Sequence, residues 1–336
     1  MSGKKHIKVL VIRFSSIGDI VLCTPVLRCL KKIDGVEAEV HLVTKKQNRE
    51  VLGGNPHVDH LHLLDGSLGA LIRKLRTINF DYIVDLHHNL RSAMVKLFLG
   101  KPAGSFIKLN LEKWLMTRFK IDRLPTTHIV ERYFDAAAFV GVKDDGGGLD
   151  FFLTDKAEIP PSTLPAAFSD GYIAFAIGGR HATKRLPNEK IIALCRHLPG
   201  PVILLGGPDD KSNGEAIGRA CGHKVFNGCG RFSLQQSAAL VKGASLVISH
   251  DTGLMHIAAA FGKDIISIWG NTVPAFGMAP YMPAGPGRSV IVEVKDLPCR
   301  PCSKIGYAEC PRKHFDCMVK IDEGEVIRAA KDLLAP

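Results

Sequence analysis

A run of polar and charged residues, Ser249-His250-Asp251-Thr252-Gly253-Leu254-Met255-His256, stands between a short apolar run (244–248) and a helix-forming stretch that Gly262 closes. The apolar run reads as a buried strand and the following stretch as a helix, so the cluster falls on a strand-to-helix turn. Asp251 or Thr252 can cap the first helical turn, and Gly253 lets another group approach the backbone closely. The free N–H groups and the positive end of the helix dipole suit a phosphate there, and His256, one turn inside, can reach the same spot. Alone, the segment reads first as a capped helix with a solvated histidine. Three further strand ends supply the context.

The first apolar run delivers Arg13-Phe14-Ser15-Ser16-Ile17-Gly18-Asp19-Ile20. Ser15, Ser16 and Gly18 make a tight turn, and Asp19 stands at the start of the next helix. A carboxylate there can simply favour the helix dipole, an effect of roughly 0.3–1 kcal/mol. It can also serve as a general base beside an acceptor that Ser16 and Gly18 flank. The turn lacks the G-x-G-x-x-G pattern of dinucleotide sites, and the chain has no P-loop. Midway, Gly178-Gly179 follows another apolar run and leads to Arg180, Thr183, Lys184 and Arg185. A glycine turn with hydroxyl and cationic side chains suits a phosphate ester, although a solvated surface loop has the same composition. At the next strand end, Gly206-Gly207-Pro208-Asp209-Asp210 offers a carboxylate for ribose hydroxyls, with Asp209 or Asp210 in that role.

These turns need a scaffold that presents strand ends, and the periodicity provides one. Apolar runs at 9–14, 39–43, 60–64 and 82–86 read as strands separated by helices at 20–32, 45–52, 68–75 and 91–99, with a further helix at 129–140. After a proline-rich linker (155–165) the alternation restarts, with strands at 172–177, 202–205, 224–226, 246–249 and 265–268. Helices begin near Asn188, Asp209, Ser233 and Gly253, and a last helix covers 323–334. Alternation of this kind predicts an α/β protein with two doubly wound parallel sheets. The expected domains are 1–155, 166–322 and a C-terminal helix, 323–336, with ligands outside the carboxyl ends of the strands in a cleft between the halves.

The 336 residues carry a net charge of +11, with +7 in residues 1–150 and +4 in the remainder. An excess of that size suggests an anionic partner. Nucleic acid is not expected, since no helix-turn-helix, RRM or zinc-finger pattern is present. No apolar run approaches the ~18–20 residues that span a bilayer. The start of the chain is basic and then apolar, but Arg13 cuts the apolar part short, so it reads as a first strand and the expected location is cytoplasmic. Five of the nine cysteines (Cys23, Cys29, Cys195, Cys221, Cys229) look like packing residues. The others, Cys299, Cys302, Cys310 and Cys317, have a spacing that four-thiolate zinc could use. Only the first pair is tightly spaced, and Pro298, Pro301 and Pro311 also fit a metal-free loop.

The Ser-Ser-Ile-Gly-Asp-Ile-Val turn, Thr183-Lys184-Arg185-Leu186-Pro187 and Asp251-Thr252-Gly253-Leu254-Met255-His256 together resemble glycosyltransferase family 9, whose members include ADP-heptose:lipopolysaccharide heptosyltransferases. The likeness runs over nearly the whole chain. It implies the GT-B fold, two Rossmann-like domains facing a central cleft, with acceptor on the first domain and nucleotide sugar on the second. It also implies that Asp19 is the catalytic base and that Lys184 contacts the donor phosphates. Asp251, Thr252, Gly253 and His256 match the donor-site motif, and Asp210 falls near the acidic position facing the ribose. Gly178, Gly179 and Thr183 are placed in the donor site by their glycine turn, since the Gly178–Thr183 loop lacks the family's commoner Pro-Gly-Ala pattern. Many members have tryptophan where this chain has Leu186, which leaves the transferred sugar open.

The activity so implied is an inverting transfer of a sugar, heptose from ADP-heptose, onto a lipopolysaccharide core or lipid A-type acceptor. Lysine and a helix end supply the positive charge, so no cofactor and no catalytic metal are expected. A nucleotide-sugar-binding protein or an epimerase of the same architecture, without a lipid acceptor, is the alternative. A glycolipid acceptor would bring the protein to the inner face of a membrane. The stretch 96–132, in which Lys113, Arg118 and Lys120 are interleaved with Trp114, Leu115, Met116 and Phe119, suits peripheral contact with anionic headgroups.

Overall fold

The computed structural model describes residues 4–335. The chain divides into two compact units. One runs to Lys108 and resumes at Thr127–Phe152; the other comprises Leu109–Thr126 and everything from Leu153 onward. The change of unit at Phe152 lies just before the proline-rich 155–165 stretch. The excursion of 109–126 into the second unit was not anticipated, so the expected continuous domain 1–155 is interrupted.

The first unit is built on five parallel strands, β1 (Lys5–Ile12), β2 (Val36–Lys45), β3 (His60–Leu64), β4 (Tyr82–Asp85) and β5 (Ala103–Ser105), in the order β3-β2-β1-β4-β5. β1 is central, and its second half, Val9–Ile12, is wholly apolar and buried because helices cover both faces of a parallel sheet. Its helices are α1 (Ile17–Val21), α2 (Thr24–Leu30), α3 (Leu68–Arg76) and α4 (Leu90–Leu99); α5 (Asn110–Phe119) belongs to the second unit, and α6 (Ile129–Ala137) returns to the first. The expected helix 20–32 is broken in two, with Pro25 in the first turn of α2, where its missing N–H costs nothing. The expected helix 45–52 is instead the end of β2 followed by a 3₁₀ turn, Lys46–Leu52. There Asn48 is buried and its Nδ2 donates to Phe14 O at 2.9 Å.

The second unit has six parallel strands, β6 (Ile173–Ala176), β7 (Val202–Leu205), β8 (Val225–Asn227), β9 (Leu246–His250), β10 (Ile265–Trp269) and β11 (Ser289–Glu293), in the order β11-β10-β9-β6-β7-β8. Its helices are α7 (Asn188–His197), α8 (Lys211–Cys221), α9 (Leu234–Gly243), α10 (Gly253–Ala260), α11 (Asp316–Val319) and α12 (Glu323–Leu334). Val326, Ala330 and Leu333 of α12 pack into the same core as Phe175, Ile248 and Ile268, so the C-terminal helix is part of this unit. β9, β6 and β7 are successive strands of this sheet, and the loops leaving their carboxyl ends carry the three motifs of this half singled out above. Among the described residues no helix is long and apolar enough to cross a membrane.

Candidate active site

In the first unit, β1 continues its ladder through Arg13, whose N–H donates to Val43 O at 3.0 Å. Phe14 O then accepts from Lys45 N (3.1 Å) and Asn48 Nδ2 (2.9 Å), which fixes the chain where the Ser15–Asp19 turn begins. Asp19 Oδ2 accepts from Ser16 N at 2.9 Å and Ser16 Oγ at 2.7 Å, while Oδ1 pairs with Arg13 Nη2. Arg13 is buried; its Nη1 donates to Leu86 O, and its guanidinium lies 5.5 Å from the Tyr133 ring centroid. Burial opposes the charge on Asp19, but Arg13 and the two Ser16 donors outweigh it and hold the carboxyl below its usual range. The Asp19 side chain keeps 19% of its surface, so part of an ionised carboxylate is reachable.

β4 lies beside β1 and ends in Asp85, which is fully buried. Its Oδ1 accepts the N–H groups of His87 (3.0 Å) and His88 (2.7 Å), and its Oδ2 pairs with Lys96 at 2.9 Å. This turn sets the His87 ring edge-on to Phe14 at 5.1 Å. Burial, with Arg13 and Lys108 adding to it, pushes His87 down to about 4, so the ring is neutral at pH 7. Neither Arg13 nor His87 was given a role from sequence, although each is a basic residue directly after an apolar strand.

In the second unit, Gly178 is a glycine by necessity. A Cβ there would stand 2.4 Å from Asp210 Oδ2 and 3.1 Å from Gly206 Cα. At Gly179 a Cβ would come within 3.3 Å of Thr252 Cγ2, so the glycine pair lets the β6 loop close on both neighbouring strand ends. Asp210, which is buried, accepts from Gly207 N at 2.9 Å and pairs with Arg185 at 3.0 Å, whereas Asp209 is exposed. Arg185, Leu186, Asp210 and Phe315 line a cavity of about 270 Å³ together with Ile177 and Ile191.

Lys184 Nζ meets Asp251 Oδ2 at 2.5 Å, and Thr272 Oγ1 donates to the same oxygen at 2.9 Å. Thr252 occupies the cap position of α10 but makes no side-chain cap bond; its hydroxyl is 3.2 Å from Ser249 Oγ. Asp251 does not cap the helix either, since it holds Lys184. The first-turn N–H groups at Gly253 are therefore left for another acceptor. His256 is buried one turn inside α10, below the surface expected for it.

Thr183 departs from its expected role. It is buried, its hydroxyl accepts from Tyr307 N at 2.8 Å and donates to Tyr307 O at 3.2 Å, so it anchors the lysine loop and its proton is spent there rather than on a ligand. The loop that anchors it is the cysteine segment. Cys302 N donates to Asn271 O at 3.2 Å, and Arg300 donates to Gly270 O (2.6 Å) and Thr272 O (2.9 Å). Its cysteines are free thiols; burial pushes Cys302 up to about 11 and Cys317 to about 12. Asn271, just after β10, is 1% exposed, and neither Oδ1 nor Nδ2 has a hydrogen-bond partner among the described residues. A buried amide in that state waits for a polar ligand or costs stability. Sequence reasoning passed over it: Gly270 stands before it, but no second glycine and no charged residue accompany it there.

Beneath the lysine loop, His250 is fully buried and its Nε2 accepts from Leu186 N at 3.1 Å. Burial, with Arg185 adding to it, pushes this histidine down to about 3.

Two parallel α/β units, an ionised carboxylate after the first strand and a lysine–aspartate pair at a helix start can be compared with known proteins. The profile of glycosyltransferase family 9 (heptosyltransferase) matches residues 68–311.

The chain belongs to glycosyltransferase family 9.

Within the family it is 24% identical to lipopolysaccharide heptosyltransferase 1 of Campylobacter coli, covering 97% of this chain and 98% of that one. It is 26% identical to lipopolysaccharide heptosyltransferase 1 of Pseudomonas aeruginosa, over 92% and 91%. The family 9 glycosyltransferase structure from Veillonella parvula superposes with a TM-score of 0.77 at 22% identity, covering 98% of this chain and 97% of that one. The Escherichia coli ADP-heptose lps heptosyltransferase II structure superposes at 0.72 with 21% identity, covering 98% of each. The fold is GT-B, as family 9 membership implied.

Proposed function

We propose that this family 9 glycosyltransferase moves a heptose from ADP-heptose onto a lipopolysaccharide core or lipid A-type acceptor, with inversion at the anomeric carbon. The reading rests above all on the Lys184–Asp251 pair beside the uncapped start of α10, where an ammonium and backbone N–H groups can meet a diphosphate that gains charge as it leaves. Asp251 and Thr272 hold the lysine in place before the donor arrives, so no reorganisation is needed when charge develops. The cavity of about 270 Å³ has apolar walls for a nucleobase and the Asp210 carboxylate for hydroxyls.

In the reaction the acceptor hydroxyl attacks the anomeric carbon, the bond to the diphosphate breaks, ADP departs and Asp19 takes the proton. A carboxyl held below its usual range is a weak base. The proton therefore moves late, when the carbon–diphosphate bond has largely opened and the acceptor oxygen has become acidic. Lysine and backbone N–H groups balance the leaving diphosphate, so we assign no cofactor and no catalytic metal. Incubation with ADP-heptose and a lipid A-type acceptor tests the assignment: mass spectrometry should show the acceptor gaining one heptose, and NMR should show inverted anomeric configuration. Release of free heptose without transfer to any acceptor would reject it.

The acceptor is a glycolipid on this reading, and α5 supports a membrane-facing role. The helix has no buried residue and exposes Leu111, Trp114 and Phe119 next to Arg118. The other two basic residues are engaged within the second unit: Lys120 Nζ donates to Pro301 O (2.7 Å) and Cys299 O (3.1 Å), and Lys113 lies 5.6 Å from the Phe276 ring centroid. We therefore assign headgroup contact to the apolar residues and Arg118.

A further inference from the structure

We infer that Glu39, His41 and His60 form a site for a divalent transition-metal ion at the edge of the first sheet, separate from the transfer chemistry. The sequence spaces the residues as strand ligands: Glu39-Val40-His41 lies in β2, and His60-Leu61-His62 opens β3. Alternate residues of a strand share a face. The register sets His41 opposite His60, so all four side chains project from one face of the β2–β3 pair.

The distances already approach those of a ligand set. His41 Nε2 lies 2.9 Å and His60 Nε2 3.0 Å from the same oxygen, Glu39 Oε1. The three donor atoms all lie within 4.8 Å of one another. Ligands about 2.0–2.1 Å from a tetrahedral ion stand roughly 3.3 Å apart, so an ion enters after an opening of a few tenths of an ångström. Two imidazoles, one carboxylate and an open fourth position suit zinc, cobalt or nickel better than magnesium or calcium, which prefer oxygen.

The surroundings complete the case. His41 Nδ1 lies 2.9 Å from His62 Nε2, the outer hydrogen bond that fixes a ligand histidine with its Nε2 lone pair free. Lys8, paired with Glu39 across β1 and β2, approaches Oε2 at 3.4 Å and leaves Oε1 for the ion. His60 is about half exposed, and it and Glu39 line a cavity of about 530 Å³ that gives an ion a way in. Among the described residues only one other three-residue cluster has donors this close, Cys29 with Asp144 and Asp145, and there Arg28 and Lys32 already occupy Asp145. No cysteine of the 299–317 loop belongs to either cluster. Binding would fasten the edge strand β3 to β2, two strands from β4 and its His87 turn.

Cobalt(II) added to the chelator-stripped full-length protein tests the site. Nitrogen and oxygen ligands give weak visible d–d bands, whereas cysteine thiolates add an intense sulfur-to-metal band, so the spectrum tells this site from the cysteine loop. One equivalent should bind with the weak bands alone, and His60→Ala and Glu39→Gln should each lower the affinity more than about tenfold. Circular dichroism and thermal unfolding of the metal-free variants check that they fold, which the exposure of His60 favours. Cobalt affinity within twofold of wild type in His60→Ala, or a spectrum showing only thiolate ligation, would overturn the site and leave an ion-paired sheet edge.

Discussion

Arg13 and Asp19 form an ion pair in which the cation is buried and the anion is partly open to solvent. The pair makes Asp19 two things at once, a reachable carboxylate for the acceptor and the countercharge of a guanidinium buried just past the end of β1. Asp19→Asn should therefore lose transfer activity by ~10²–10⁴-fold. It should also destabilise the fold by on the order of 3 kcal/mol, because Arg13 loses its partner. Donor affinity should stay near wild type. Single-turnover kinetics beside urea unfolding separates the two effects, and a destabilised variant with normal turnover would reduce Asp19 to an anchor for Arg13.

Lys184→Ala should weaken ADP binding more than adenosine binding, by about 1.5–3 kcal/mol, the size of a charge-assisted hydrogen bond. Its contact with Asp251 adds a second expectation. With the lysine gone, an unpaired Asp251 repels the diphosphate, so Lys184→Ala/Asp251→Asn should bind ADP better than Lys184→Ala alone. Calorimetry with adenosine and ADP on both variants decides; equal losses for the two ligands remove Lys184 from the phosphate site.

Asn271→Leu should keep or raise the melting temperature and lower donor affinity tenfold or more. The amide is buried with both polar atoms unpartnered among the described residues, so apolar replacement removes a desolvation cost from the free protein. A loss of stability with unchanged ADP-heptose affinity would mean that Asn271 is only a packing residue.

Acid should destabilise the protein in a window set by its neutral histidines. His250 titrates near 6.5 when unfolded and is held at about 3 in the fold. Its contribution is present in full above pH 6.5 and falls as pH drops toward 3, because only the unfolded chain takes up the proton, by up to ~1.4 kcal/mol per pH unit. His62 and His87, each pushed to about 4, act in the same direction. Denaturant unfolding at pH 7, 6 and 5 should show the decline, and His250→Gln, which keeps an acceptor for Leu186 N–H, should flatten it.

Anionic liposomes should co-sediment the protein at low salt, and added salt should release it. Neutralising Arg118 together with Trp114→Ala and Phe119→Ala should abolish binding. Lys120→Gln should leave it unchanged, since that lysine is spent on the Pro301 and Cys299 carbonyls. A protein that stays in the supernatant at low salt would leave α5 as ordinary exposed structure.

The alternation of apolar runs with helical stretches was legible because parallel strands are buried on both faces and stand out as near-continuous apolar segments. β5 and β11 were missed: β5 is three residues of alanine, glycine and serine, and β11 is an edge strand with exposed positions. At the site, glycine turns and charges after strands marked Asp19, Lys184, Gly178 and Asp251. What they engage was not legible. Thr272 on the Asp251 carboxylate, Cys302 N–H on the Asn271 carbonyl and the bond from Thr183 to Tyr307 all depend on segments brought together by the fold, and local spacing carries no record of such partners.

The detour of 109–126 also bears on how these enzymes can be taken apart and recombined. The backbone passes between the two units three times, near residues 108, 126 and 152, so neither unit is a continuous length of chain. A fragment ending at 152 would carry α5 away from the carbonyls that hold Lys120 and would strip the remainder of that helix. Exchanging halves between relatives at one junction would mix an α5 from one parent with a cysteine loop from the other. Viable chimaeras should be those that move residues 109–126 together with the C-terminal half.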